Sequence, residues 1–161
     1  MVTNPSYVKL AFKYAYDELV ANKRTNISLI YNDFNTYGED TADRIVTMYK
    51  WLNTKDDVNT TGATICNGVG MQSHLSVKNS YHSVTNFTAA LNKFCNVGME
   101  VQITELDATR DGATEAEEAA YWKDIMKALI TAKKAGGNIT GVTIWGLYDA
   151  TSWRASGGFF V

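Results

Sequence analysis

Apolar positions recur along the chain at two alternating periods, one near 3.6 residues and one near two, and their order sets out the expected elements. After Asn4-Pro5, a helix-opening pair, Tyr7, Leu10, Ala11, Tyr14, Ala15 and Leu19 fall three and four apart, predicting a helix that ends near Asn22. The β-rich run ISLIY (27–31) follows, then the polar stretch NDFNTYGED, then a second helix with Ile45, Met48, Tyr49 and Leu52 on its stripe. The order repeats with a strand from Ala63 to Val69, the loop GMQSHLSVKNS, and a helix in which Phe87, Ala90, Leu91 and Phe94 complete an i, i+3, i+4, i+7 set. It repeats again with MEVQI (99–103), the loop TELDATRDG and a helix from about Thr114. That helix has Glu115, Glu117 and Glu118 at its start, Lys133 and Lys134 near its end and Gly136-Gly137 beyond, so its charges complement the helix dipole and its glycines supply a stop. A last strand, ITGVTIW (139–145), runs into GLYDATSWR.

Four strands alternating with four helices predict an α/β fold with parallel pairing through right-handed crossovers, each strand's carboxyl end opening on one common face. No Gly/Ser-rich or Pro-rich linker interrupts the chain, so residues 1–161 read as one structural unit.

Composition narrows the function classes. With 161 residues, 45% hydrophobic and 20% charged, the chain is long enough to bury a core. Its net charge of -2, from 15 basic and 17 acidic residues spread along the chain, offers no basic field for nucleic acid and no polybasic run for a membrane surface. The first residues lack the basic-then-apolar order of a signal peptide, and no stretch is apolar for long enough to cross a bilayer. Cys66 and Cys95 make neither a disulfide framework nor a zinc site, and buried free thiols are the expectation. Aromatic residues reach 12%, and flat rings suit cores and sugar rings alike.

Candidate chemistry gathers where the expected strands end: Asn32-Asp33-Phe34-Asn35, Gln72-Ser73-His74, Glu105-Leu106-Asp107 and Trp145-Gly146. Side chains at the carboxyl ends of parallel strands converge on one pocket although far apart in sequence. Taken singly, each has an ordinary alternative: a solvated loop carboxylate for Glu105, a structural histidine for His74, core packing for Trp145. Gly68-x-Gly70 lacks the third glycine of a dinucleotide fingerprint, and there is no phosphate loop. His74 with Glu105 and Asp107 fits a hydrogen-bonded carboxylate pair; without a second histidine beside them, metal is not expected. Ser73 beside His74 makes no hydrolase triad, because no nucleophile elbow surrounds the serine.

The strings GVGMQSHL, VQITELD and GVTIWGLYDATSWR, in this order and preceded by LIYNDFNTYG, resemble the last four strands of glycoside hydrolase family 10, the endo-β-1,4-xylanases. The resemblance implies the carboxyl-terminal half of a (β/α)8 barrel, strands five to eight, and hydrolysis of xylan with retention by two carboxylates roughly 5 to 5.5 Å apart. It makes Glu105 the nucleophile, with His74 hydrogen-bonded to it and Asp107 orienting His74. Gln72, Trp145, Trp153, Arg154 and Phe34 would line the sugar site, Asn35 being a weaker candidate. No cofactor is implied; the partners would be xylan or xylo-oligosaccharides, and secretion would follow from the family's attack on an extracellular polymer.

Two departures qualify that reading. Phe34 stands where the family usually has Tyr in NDYN, which keeps the ring face but removes a hydroxyl. A complete barrel takes eight strands and about 250 residues, and the Trp-x-x-x-Asn-Glu string that carries the family's acid/base is absent from this sequence. Glu18, Glu39 and Glu100 lack its setting, being expected on a helix, in a loop and at a strand's start. Strand edges at ISLIY and ITGVTIW and an apolar inner face are therefore expected to need a cover, either the amino-terminal half of the barrel or a second copy of the chain.

Overall fold

A computed structural model describes residues 6–154. Helix α1 (Ser6–Ala21) precedes a run of strand and helix units: β1 (Ile30–Asp33), α2 (Glu39–Asn53), β2 (Gly68–Met71), β3 (His74–Ser76), α3 (Val84–Asn96), β4 (Glu100–Thr109), α4 (Glu115–Lys134) and β5 (Ile139–Ile144). All strand pairs are parallel: β1 on β2, β2 on β4, β4 on β5, with the short β3 on the far end of β4. The helix opening expected at Asn4-Pro5 lies outside the described residues.

Local signals explain the best-formed helices. Thr114 caps α4 in a capping box with Glu117, and Ser83 caps α3 by accepting the Asn86 N–H, each satisfying N–H groups that a helix start leaves orphaned. The predicted stripe of α3, namely Phe87, Ala90, Leu91 and Phe94, is buried, and it packs with Ile45 and Val46 of α2 and Ile125 and Leu129 of α4. These side chains meet Val69, Met71, Val101, Ile103 and Leu106 from one face of the sheet.

Several expectations give way. The first two strands form later than their β-rich runs, at 30–33 and 68–71, because pairing in register, Ile30 with Gly68 through Asp33 with Met71, selects the residues rather than local propensity. The expected loop after β2 contains β3, and β4 continues through Glu105 and Asp107 to Thr109 because β3 pairs with its last three residues. Glu39 is the first residue of α2 rather than a loop residue, while Glu18 and Glu100 lie on α1 and at the start of β4.

The open face of the sheet is polar rather than apolar. Gln102, between buried Val101 and Ile103, and Thr104 just after them turn to the other side, as period-two alternation requires. There Gln102 and Thr140 donate to Glu100 at 3.0 and 2.7 Å. Burial alone would raise the Glu100 carboxyl, but hydrogen bonds from Ser28, Thr140 and Gln102 pull it below its usual value. Strands β1 and β5 each have one strand neighbour among the described residues.

Helix α1 departs most from its pattern. Tyr7 and Tyr14 of its predicted stripe are 67% and 65% exposed, and its one buried residue is Lys9. The Lys9 ammonium donates to the carbonyls of Trp51 and Thr54, each at 2.8 Å, and to Asp56 at 2.5 Å, so it closes the carboxyl end of α2 where carbonyls lack helical partners. Its Nζ also lies 5.2 Å from the Trp51 ring centre.

Lys9→Met removes the ammonium from the Thr54 carbonyl and leaves the Trp51 carbonyl with the Thr54 N–H alone, and it is expected to lower Tm by on the order of 5 °C in calorimetry. The Lys9 hydrogen bond, joined by the N–H groups of Asn59 and Val58, holds Asp56 below its ordinary value of 3.8. The ion pair is therefore complete above that pH and is lost as pH falls below it. The gap between variant and wild type should accordingly narrow in acid.

Candidate active site

Because β4 is paired on both sides, it provides a rigid rail from which Glu105 and Asp107 project. The Glu105 N–H donates to the Gln72 carbonyl at 3.0 Å on one side, and the neighbouring Leu106 carbonyl accepts the Trp145 N–H at 2.9 Å on the other. The register of β4 against β5 slips between Ile103 and Leu106, just where Glu105 sits.

His74 reaches this rail through a sharp turn in the chain. Ser73 holds φ at +62°, a left-handed conformation uncommon outside glycine, and its carbonyl accepts the Asp107 N–H at 3.3 Å. The turn sets the imidazole between the two carboxylates: Nε2 lies 3.1 Å from Glu105 Oε2, and Nδ1 lies 3.0 Å from Asp107 Oδ2. The second approach is bent, so the ring nitrogen faces Asp107 without an aligned hydrogen bond.

Asp107 is 1% exposed, and both of its oxygens are occupied. The Trp153 indole N–H donates to Oδ2 at 2.9 Å and Arg154 Nη1 to Oδ1 at 2.8 Å, while Arg154 Nη2 donates to Thr109 Oγ1 at 3.2 Å. The Trp153 ring stands edge-on to His74 with centres 4.9 Å apart, yet Trp153 as a whole is 65% exposed. One tryptophan thus braces the His74 and Asp107 pair and presents apolar surface outward. Arg154, expected to line the sugar site, spends its guanidinium on Asp107 and Thr109 instead.

Glu105 has a second neighbour, one that the sequence placed at a strand end without giving it a role. Asn32 on β1 lies 3.4 Å from Glu105 Oε1 through its amide nitrogen, and its amide oxygen accepts the Thr104 hydroxyl at 2.7 Å. Gly70 makes this crossing possible: a Cβ there would come within 2.4 Å of Asn32 Oδ1 and 3.0 Å of the Thr104 methyl. The signal for it was the glycine on the strand between them, a place where side chains approach over bare backbone.

The remaining predicted residues rim the same end of the sheet. Gln72 follows β2 and is half-buried; Phe34 and Trp145, just beyond β1 and β5, are exposed. Among the described residues no group of three or more His, Cys, Asp or Glu has the arrangement of a metal site. Cys66 is a buried free thiol, pushed up to about 11 by burial, and Cys95 is free and partly buried.

The arrangement can hold one carboxylate, Glu105, towards open space while a buried charged group fixes the imidazole behind it. Removing Arg154 leaves that buried charge short of its strongest donor. Arg154→Met is expected to cost about 3 kcal/mol of stability, measured by urea denaturation.

Comparison with known proteins places the chain in a family. The glycosyl hydrolase family 10 profile matches residues 1–158. Endo-1,4-beta-xylanase A of Butyrivibrio fibrisolvens is 44% identical over 152 residues, covering 94% of this chain and 34% of its own length. Endo-1,4-beta-xylanase A of Humicola insolens is 31% identical over 156 residues, covering 94% and 37%. Among solved structures, the xylohexaose complex of the carbohydrate-binding and catalytic modules of Clostridium thermocellum endo-1,4-beta-D-xylanase 10B is 31% identical, with a TM-score of 0.76 over 93% of this chain and 28% of that one. A xylotetraose complex of an intracellular xylanase from Thermoanaerobacterium saccharolyticum is 25% identical, with a TM-score of 0.73 over 94% and 43%. The chain therefore spans 34% and 37% of the length of these two curated relatives, and 13% and 12% of the xylanases Y of Acetivibrio thermocellus and A of Thermoanaerobacterium saccharolyticum. Its parallel α/β sheet corresponds to part of the family's barrel, and the chain belongs to glycosyl hydrolase family 10.

Proposed function

We propose that this chain is the carboxyl-terminal half, strands five to eight, of a retaining endo-1,4-β-xylanase barrel, and that it carries the nucleophile. The observation that supports this reading best is Glu105 held 3.1 Å from His74 Nε2, with the other ring nitrogen facing buried Asp107. A carboxylate aimed by a fixed imidazole suits attack on an anomeric carbon, where a small error in placement is costly.

In this reading the Glu105 carboxylate forms a bond to the anomeric carbon as the glycosidic C–O bond breaks. The leaving oxygen takes its proton from an acid carboxyl in the other half of the barrel. Water then attacks the glycosyl ester, its proton returning to that same carboxyl, and the sugar leaves with retained configuration. Trp145, Trp153, Gln72 and Phe34 form the walls of the xylose sites. Arg154 acts from behind, through Asp107. The amino-terminal half of the barrel, or failing it a second copy of the chain, covers the free edges of β1 and β5.

A second reading, a half barrel that binds xylo-oligosaccharides without cleaving them, draws on the exposed aromatic rim, with Trp145 at 44% and Trp153 at 65% exposure. Xylohexaose added to the chain reconstituted with a complementary half separates the two: saturable binding in calorimetry without product would favour the binding reading.

The catalytic assignment is tested in a barrel reconstituted with a complementary half. Glu105→Gln should abolish xylan hydrolysis while leaving xylohexaose affinity within a few-fold, because the amide keeps the shape and loses the nucleophile. Turnover retained by the variant would remove Glu105 from that role.

A further inference from the structure

Tyr37 lies in the loop between β1 and α2, yet it is 1% exposed. Its ring is held from two sides, by Tyr81 with centres 5.5 Å apart and by His82 edge-on at 5.1 Å. Tyr81 is itself seated over Gly38, where a Cβ would come within 2.2 Å of the phenol oxygen, so the seat requires glycine. A buried phenol so enclosed has little freedom to move.

The Tyr37 hydroxyl faces two acceptors, Asn35 Oδ1 at 2.9 Å and the His74 backbone carbonyl at 3.2 Å. A phenol has one proton to donate, so the two bonds compete. Burial pushes the phenol well above its ordinary value, and it stays a donor across the working pH range. Each acceptor sits at or beside a left-handed backbone position: the Asn35 side chain is carried by a residue with φ at +51°, and Ser73, immediately before His74, has φ at +62°.

We propose that Tyr37 is a positioning residue whose single hydroxyl proton, shared between Asn35 and the His74 carbonyl, fixes the seat of His74 and ties it to the β1 loop. The inference rests on the proposed function only in giving His74 its place beside the nucleophile. Asp107 faces the imidazole, Glu105 meets its far nitrogen, and Tyr37 pins the same residue's backbone from the loop side. Anything that draws Asn35 away from Tyr37 releases the proton to His74.

Sharing predicts responses of opposite sign, which a merely structural tyrosine would not produce. In the 161-residue chain labelled with 13C and 15N, Tyr37→Phe should move the His74 carbonyl 13C resonance upfield as its hydrogen bond is lost. Asn35→Ala should move it downfield, as the whole bond falls to His74. Tyr81→Phe, whose hydroxyl reaches the Asn35 carbonyl at 3.3 Å, should leave it in place. Shifts of the same sign in the first two variants, or none in either, overturn the proposal; if Tyr37→Phe does not fold, the Asn35→Ala shift decides alone. In a reconstituted barrel Tyr37→Phe should lower kcat about tenfold with little change in KM. A wild-type barrel inactive on xylan alongside the predicted opposite shifts would sink the enzymatic reading and spare the tie. An active barrel with unmoved shifts would sink the tie alone.

Discussion

The buried carboxylate of Asp107 is the constraint from which the rest of the site follows. A charge taken out of water is tolerated only with donors on its oxygens, and here they come from distant parts of the chain: Trp153 and Arg154 from beyond β5, with the His74 imidazole alongside. Satisfying that one charge therefore draws the segment after β5 back over β4 and brings β3 against it. The same demand sets His74 so that its outer nitrogen meets Glu105. The seat of the histidine beside Glu105 is thus a consequence of burying a charge two residues further along the strand.

The second constraint is the absence of side chains on the open face of β2, where Gly68 and Gly70 lie. Gly68 leaves no room for a Cβ, which would lie 1.8 Å from the Glu100 carbonyl oxygen, and Gly70 leaves none beneath Asn32 and Thr104. The sheet's open face is therefore crossed by polar contacts from β1 to β4, and Asn32 reaches Glu105 over bare backbone. Polar residues on that face satisfy one another locally, as the Glu100 group does with Gln102 and Thr140. The face is a lattice of small hydrogen-bonded clusters rather than an oily surface awaiting a cover.

How much of this could be read from the chain varied with the kind of interaction. The stripe of α3 and the two ends of α4 were legible because periodic apolar residues and terminal charges act within one element. Strand limits were less so: ISLIY and the run from Ala63 have the right residues, but which of them pair is settled by register with a partner strand. A three-residue strand such as β3 carries no periodicity at all. Lys9 was hidden because a buried lysine looks like any polar position between apolar ones, and α1's exposed stripe looked like a core face. Around the site, ordered strings named Glu105, His74 and Asp107, which the fold brings together, whereas the contacts of Asn32 and Tyr37 needed the third dimension. Arg154 was noticed for the wrong neighbour, since nothing in the residues Trp153-Arg154 says whether a guanidinium turns to a sugar or to a carboxylate.

Strain and rigidity are divided unequally across the site. Glu105 stands on the longest strand, held by neighbours on both sides, while the left-handed residues Asn35 and Ser73 lie in the segments that approach it. Backbone held in such conformations persists only where surrounding contacts over-determine it. The contacts that do so here are the Tyr37 hydroxyl for Asn35, and the Asp107 N–H with the Met71 carbonyl for Ser73. The chain therefore keeps Glu105 fixed on its strand and concentrates backbone strain in the segments beside it. A substrate or a complementary half of the barrel that settles against this face would alter the seat of His74 and the β1 loop before it could alter Glu105.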